Sequence, residues 1–163
     1  MLNNKELEGK LRIMRYLLTI LFFFIHVNVL AKEVTVDIFF ISSAGTNKVM
    51  TFGDILVYRQ TEGTASWADS EGDYGLLECM GNYLIKKNEG TVLNNYCKGT
   101  NRQKDIFWLI MKRTSSDYEA GIGKSTYLHG TGKFQDYEGV ECIYGVEILE
   151  GMAVLKQKCK LNE

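Results

Sequence analysis

From residue 33 onward the chain is a succession of short runs rich in β-branched and aromatic residues, each bounded by glycine, asparagine or aspartate, and convincing helical periodicity is scarce. Runs of this length with such short connections join most simply as successive hairpins, which points to an antiparallel meander. The runs are EVTVDIFFI (33 to 41), TFGDILVYRQ (51 to 60), DYGLLECMGNYLIK (73 to 86), 91 to 98, KDIFWLIMKR (104 to 113), 123 to 130, 137 to 148 and 152 to 160. Eight strands suffice for a sheet to close on itself and remove its exposed edges, so the expected fold is all-β, an eight-stranded antiparallel β-barrel with little helix. VTVDIFFI and IFWLIM are apolar at successive positions, as expected of strands covered on both faces. The longest expected loop is TEGTASWADSEG (61 to 72), a surface segment whose one bulky apolar residue is Trp67.

The first 31 residues read as a leader rather than as fold material. A basic lead with Lys10, Arg12 and Arg15 runs into the apolar Tyr16 to Ile25, and Val29 and Ala31 stand at the small-residue positions that a signal peptidase reads. Cleavage is expected after Ala31, with Met14 an alternative initiator that shortens the lead. A retained span is disfavoured because the apolar stretch, interrupted by His26 and Asn28, falls short of the roughly 20 residues a bilayer needs. The mature chain, 32 to 163, is expected to be one barrel domain, periplasmic or secreted, with no stable membrane insertion. The whole chain has 19 basic and 20 acidic residues; the leader holds four and two of these, leaving 15 against 18, a net charge of about −3. A mildly acidic chain with no basic run carries no electrostatic footprint for nucleic acid.

An exported chain with four cysteines suggests two disulfides, for which three pairings exist. Cys142 and Cys159 lie symmetrically about Glu150-Gly151, so a two-residue hairpin loop sets them directly opposite each other in a non-hydrogen-bonded pair. Cys79 and Cys97 are centred in the same way on Asn88. The four cysteines have no CxxC spacing, and the mature part holds a single histidine, His129, so no metal site is expected. Nor is a cofactor.

The glycine-dense segment GIGKSTYLHGTGKFQDYEGVECIYG (121 to 145) poses a choice between a phosphate loop and the bends of a sheet. Gly123-Lys124-Ser125 supplies the end of a P-loop, but its first glycine is replaced by Tyr118 and no helical stretch follows to face an anion. The same glycines resemble another pattern. Gly130, Thr131, Gly132, Phe134 and Gly139 look like the G-[TS]-G-x-F turn, left through a later glycine, of the dirigent proteins and their relatives the allene oxide cyclases. Gly75, Gly81 and Tyr83 loosely resemble the glycine-spaced strand upstream of it. The resemblance covers some 70 to 80 residues, about half of the chain. It implies an eight-stranded barrel with a hydrophobic and aromatic lumen, often assembled through its outer wall, so that a homo-oligomer, trimer or dimer, is an expectation. It also implies that Gly130, Gly132 and Gly139 serve the turn while Phe134 plugs the barrel end. Glu138 stands where dirigent sequences commonly carry arginine, and the acidic, arginine or asparagine lumen residues of the catalytic members have no counterparts matched here.

Other chemistry is sparse. Asp69, Glu71 and Asp73 alternate like a calcium loop, but Tyr74 and Met80 occupy its obligatory glycine and glutamate positions, so a solvated acidic loop is expected. No G-x-S-x-G elbow accompanies His129. Polar residues on otherwise apolar strands, namely Asp37, Glu78, Asn82 and Asn94, mark a binding site if they face the lumen. Strand parity places Glu78 and Asn82 on one face without saying which face that is. With Tyr83 and Trp108 they are the candidate ligand-binding residues; no catalytic set is identified. The leading expectation is an exported, non-enzymatic binder of a small apolar or aromatic molecule. The alternatives are an isomerase or cyclase using the same lumen, and a structural or envelope-interaction module with a filled barrel.

Overall fold

The computed structural model describes residues 31–42, 48–117, 119–150 and 152–161. The expected leader lies outside the described residues except for Ala31. Nine strands follow in chain order: β1 (Lys32–Ser42), β2 (Val49–Phe52), β3 (Leu56–Asp69), β4 (Tyr74–Lys86), β5 (Gly90–Asn101), β6 (Ile106–Ser115), β7 (Ala120–Gly130), β8 (Glu141–Leu149) and β9 (Met152–Leu161), with a short 3₁₀ helix, Gly132–Tyr137, between β7 and β8. From β3 to β9 each strand pairs antiparallel with the next, and β1 closes the ring by pairing with both β9 and β3. The result is a closed eight-stranded antiparallel barrel, with β2 attached outside the ring to the first half of β3.

Alternation decides what faces inward. On β6 the buried Phe107, Leu109, Met111 and Arg113 alternate with Trp108, Ile110 and Lys112 on the outer wall. On β7 the inward set runs Gly123, Ser125, Tyr127 and then Gly130. A bulge opposite Trp108 and Leu109 inserts one extra residue and shifts the parity there.

Two expected boundaries are corrected. The stretch 61 to 72 is not a loop: β3 runs on to Asp69, with Ala65 and Trp67 buried inside. Its composition resembles a loop because its outward positions, Thr64, Ser66 and Ala68, are small, while β1 and β4 supply hydrogen-bonding partners on both sides. The strand expected from 137 begins at Glu141, because Gly132 to Tyr137 coil into the 3₁₀ turn.

Both disulfides form in the pairings that the spacing favours. Cys79 faces Cys97 across β4–β5 and Cys142 faces Cys159 across β8–β9, with Cα separations of 4.1 and 4.3 Å. Leu149 pairs with Met152 at the β8–β9 turn, and Glu150 there takes a φ of 49°.

One end of the barrel is filled. Trp67, Phe107, Phe134, Tyr127 and Tyr137 meet largely edge to face, Phe107 and Phe134 with ring centroids 4.7 Å apart and Trp67 and Phe107 5.4 Å apart. Phe134 is delivered by the glycine turn: Gly132 adopts a φ of 53°, and a Cβ on Gly130 would fall 2.6 Å from that of Phe134. Thr131 ties the turn to β6 by accepting from the Ile106 N–H at 2.8 Å.

Lys133, next to Phe134, anchors the plug from outside. Its ammonium lies 3.2 Å from Asp69 and 2.7 Å from Asp73, and Asn101 donates to Asp73 at 3.0 Å. The expected solvated acidic loop is therefore corrected, for the Asp69 and Asp73 side chains are largely buried beneath this lysine. Asp69 also receives the backbone N–H groups of Glu71 and Asp73, which closes the β3–β4 turn. Burial acts to raise the Asp73 carboxyl, but hydrogen bonds from Lys133, Asn101 and the Tyr74 N–H outweigh it and hold the group below the usual carboxylate value.

Candidate ligand cavity

The opposite half of the lumen is open. A cavity of about 370 Å³ is lined by the C-terminal halves of β1, β6 and β8, the N-terminal halves of β3, β5 and β9, Cys79 and Tyr83 of β4, and Glu119 just before β7. Its apolar lining includes Phe40, Leu93, Met111, Val146, Ile148 and Leu155, with the Cys79 end of one disulfide in the wall. Its polar lining includes Arg59, Thr61, Asn95, Arg113, Tyr83, Tyr144 and Glu119; Glu62 borders it too, but sits opposite the outward Met80 on β4.

Three inward glycines make room for these polar groups. A Cβ at Gly123 would lie 2.5 Å from the Tyr144 hydroxyl, one at Gly121 would lie 3.3 Å from Cδ of Arg113, and one at Gly81 would collide with the Asn95 side chain. Bare backbone on β7 and β4 is thus the surface against which Tyr144, Arg113 and Asn95 are laid. Thr61 donates to Asn95 at 3.4 Å, and Arg59, Tyr83 and Arg113 each make further contacts within the chain. Tyr144 differs. Its ring is 1 % exposed, and its hydroxyl has no hydrogen-bond partner among the described residues. Burial pushes its pKa well up although the nearby Arg113 charge pulls the other way, so the phenol remains a neutral donor.

Beneath the cavity the lumen is closed by a buried polar pair. Ser125 donates to Gln157 at 2.6 Å, and the Gln157 amide reaches the Tyr127 hydroxyl at 3.4 Å. Ser125 is the residue that a P-loop would use for magnesium; here it is an interior strand residue, while Lys124 points outward. Among the described residues no group of histidine, cysteine and acidic side chains is arranged to hold a metal ion.

Of the four candidate ligand-binding residues, only Tyr83 lines the cavity. Glu78, Asn82 and Trp108 lie on the outer wall, and the face that parity left open for Glu78 and Asn82 is the outer one, for on β4 the odd positions Leu77, Cys79 and Tyr83 turn inward. Glu78 is exposed, Asn82 sits between Gln60 and Asn94 on neighbouring strands, and Trp108 stacks on His129 with centroids 5.7 Å apart. His129 in turn contacts Glu138 at 3.0 Å, so this histidine is a surface residue. Asp37 and Asn94 also belong to outward positions. The inward polar residues that the sequence reading missed, Arg113, Asn95 and Tyr144, sit at alternate positions after Leu109 and Met111, after Leu93, and after Cys142. Extending each inward register by one step locates all three.

A scan against family models, a search of curated proteins and a search of solved structures return no match. The functional reading rests on the cavity itself.

Proposed function

We propose that the protein is an exported, non-enzymatic binder of a small apolar or aromatic molecule, held in the open half of a dirigent-like or allene-oxide-cyclase-like barrel. The observation that carries this reading is the division of the lumen: aromatic rings fill one end, and the other keeps a cavity of about 370 Å³ with a largely apolar wall. Ligand sites occupy roughly 300 to 1,000 Å³ and combine apolar walls with a few oriented polar groups, as this cavity does. The barrel supplies rigidity, since every inner strand is paired on both sides and two disulfides brace adjacent walls. Two disulfides also suit an oxidising compartment, in keeping with export. Arginine, amide and neutral phenol groups orient a ligand through donated hydrogen bonds, which is why binding is preferred here to cyclisation.

Native mass spectrometry of protein purified from its own host tests the reading. The expected result is a small-molecule adduct that disappears in Ala153→Trp, a substitution that fills the cavity from its wall. A wild-type protein that carries no adduct and takes up no apolar or aromatic compound in solution refutes it.

A further inference from the structure

We infer that the protein pairs with a second copy of itself through the outer wall of β4 and β5, the two barrels packing face to face about a two-fold axis that runs between these strands and parallel to them. This surface lies outside the lumen and is independent of what the cavity binds.

The outer wall is divided in character. On the side formed by β7, β8, β9 and β1, outward charges meet across the strands: Lys124 with Glu141, Lys156 with Asp37 and Lys158 with Glu33, at 3.5 to 3.6 Å, with Ile122 and Ile143 set among them. On the side formed by β4, β5 and β6 the outward positions carry Tyr74, Leu76, Met80, Tyr96, Trp108 and Ile110, and the first four are more than half exposed. Register joins part of this set into a row. Met80 stands beside Tyr96, and Tyr96 beside Ile110, so the apolar surface continues across three strands. Apolar surface that is contiguous, exposed and bordered by polar groups marks an interaction site.

The levels on either side of that row fit a second copy. Glu78 is in register with Lys98, and Asn82 with Asn94. An axis along the β4–β5 seam lays β4 of one protomer over β5 of the other at the same level. Glu78 then meets the partner's Lys98, Met80 the partner's Tyr96, and Asn82 the partner's Asn94, each contact occurring twice by symmetry. An axis across the strands, level with Met80, sets both charges against amides; one level with Glu78 sets like charges together. Of the three, only the strand-parallel axis opposes unlike charges, which is the complementarity that fixes register at an interface. The result is an apolar centre flanked by a charged pair and an amide pair, as interface cores and rims are arranged. The wall curves away on both sides, so the contact is small and the dimer is a weak one.

Sedimentation equilibrium of the oxidised protein, loaded from about 5 to 500 µM, is expected to show a monomer–dimer equilibrium, the range in which a small interface associates. Glu78→Lys and Lys98→Glu each bring like charges together twice in the dimer and are expected to weaken it roughly tenfold or more. Mixing the two variants in equal amounts is expected to restore association. The mixed dimer opposes unlike charges again, whereas within each chain the two charges remain alike, so recovery reports the contact between copies and not the cross-strand pair inside one copy. One variant is isotope-labelled, and native mass spectrometry then distinguishes mixed dimers from like ones. Should either charge variant fail to fold, as judged by its thermal transition, Met80→Lys and Tyr96→Asp repeat the test one level along: each alone is expected to abolish the dimer, and their mixture to regain it. A protein that stays monomeric throughout the range overturns the inference, as does a trimer, an association that survives both charge reversals, or a mixture that associates no more than its components.

Discussion

Replacing Lys133 with methionine removes the cation that bridges Asp69 and Asp73 while keeping an apolar stem of similar length. Two largely buried carboxylates then lose a partner at 3.2 and 2.7 Å. Orphaning a fully buried charge costs about 3–5 kcal/mol, whereas exposed pairs are worth about 0–1 kcal/mol. The Lys133 side chain is 32 % exposed and Asn101 still donates to Asp73, so the expected loss is on the order of 1–3 kcal/mol at neutral pH. The pH dependence is more diagnostic. The Asp73 carboxyl is held below its ordinary value of 3.8, so its contribution is complete above that value and is lost as pH falls through the lower folded-state value. Burial acts to lower Lys133, but Asp73 and Asp69 outweigh it and raise the lysine above 10.5, so its contribution is complete below that value and is lost as pH rises through the folded-state value. The stability gap between wild type and Lys133→Met is therefore expected to be flat from about pH 5 to 9 and to shrink towards pH 2.5. Urea unfolding with the disulfides intact, followed by near-ultraviolet circular dichroism at pH 7, 5 and 2.5, measures it; other carboxylates cancel in the difference. A gap that does not change on acidification would show that Lys133 acts by packing alone and refute the electrostatic account.

Further outcomes follow from the same geometry. Phe134→Ala removes a ring packed against Trp67, Phe107 and Tyr137 and is expected to cost about 3–5 kcal/mol in urea unfolding; a loss below about 1 kcal/mol would mean that the closed end is not held by this plug. Gly123→Ala drives a Cβ to 2.5 Å from the Tyr144 hydroxyl and is expected to displace that ring at a cost of about 1–3 kcal/mol, visible as shifted aromatic NMR resonances. Unchanged Tyr144 resonances would contradict the packing described. Replacing Cys142 and Cys159 together by alanine opens a loop with a sequence separation of 17 and is expected to lower stability by about 3 kcal/mol, checked by the same urea titration.

Much of this architecture was legible because β-barrels write their geometry in period two. The cysteine pairs fixed register at two hairpins, since residues equidistant from a short turn must face each other, and Leu149 with Met152 completed one of them. The second half of β3 was illegible because Thr64, Ser66 and Ala68 have the composition of a loop; their strand conformation is imposed by the neighbouring β1 and β4. The face of the candidate polar residues stayed open for a different reason. Glu78 and Asn82 looked informative as polar residues among apolar ones, yet an outer wall needs polar residues too, and Tyr96, Met80 and Leu76 show that it tolerates apolar ones as well. Hydrophobicity alone therefore does not separate lumen from solvent on β4. The cysteines do, because both disulfides lie inside, and counting from Cys79 turns Glu78 and Asn82 outward and Tyr83 inward. Gly121 and Gly123 suggested a turn or a phosphate loop; their role as clearance for Tyr144 and Arg113 requires knowing which strands flank β7.

The closing seam has a consequence for how such a chain is made. β1 finds its partners far along the sequence, with Lys32 beside Leu161 and Val36 beside both Gln157 and Asp69. Neither covalent bridge reaches it, since both cross-links join strands of a single hairpin. A segment synthesised early must therefore wait, with one edge unmatched, until the final strand arrives. Any factor that shelters this orphan edge during the delay would govern yield without touching the finished molecule.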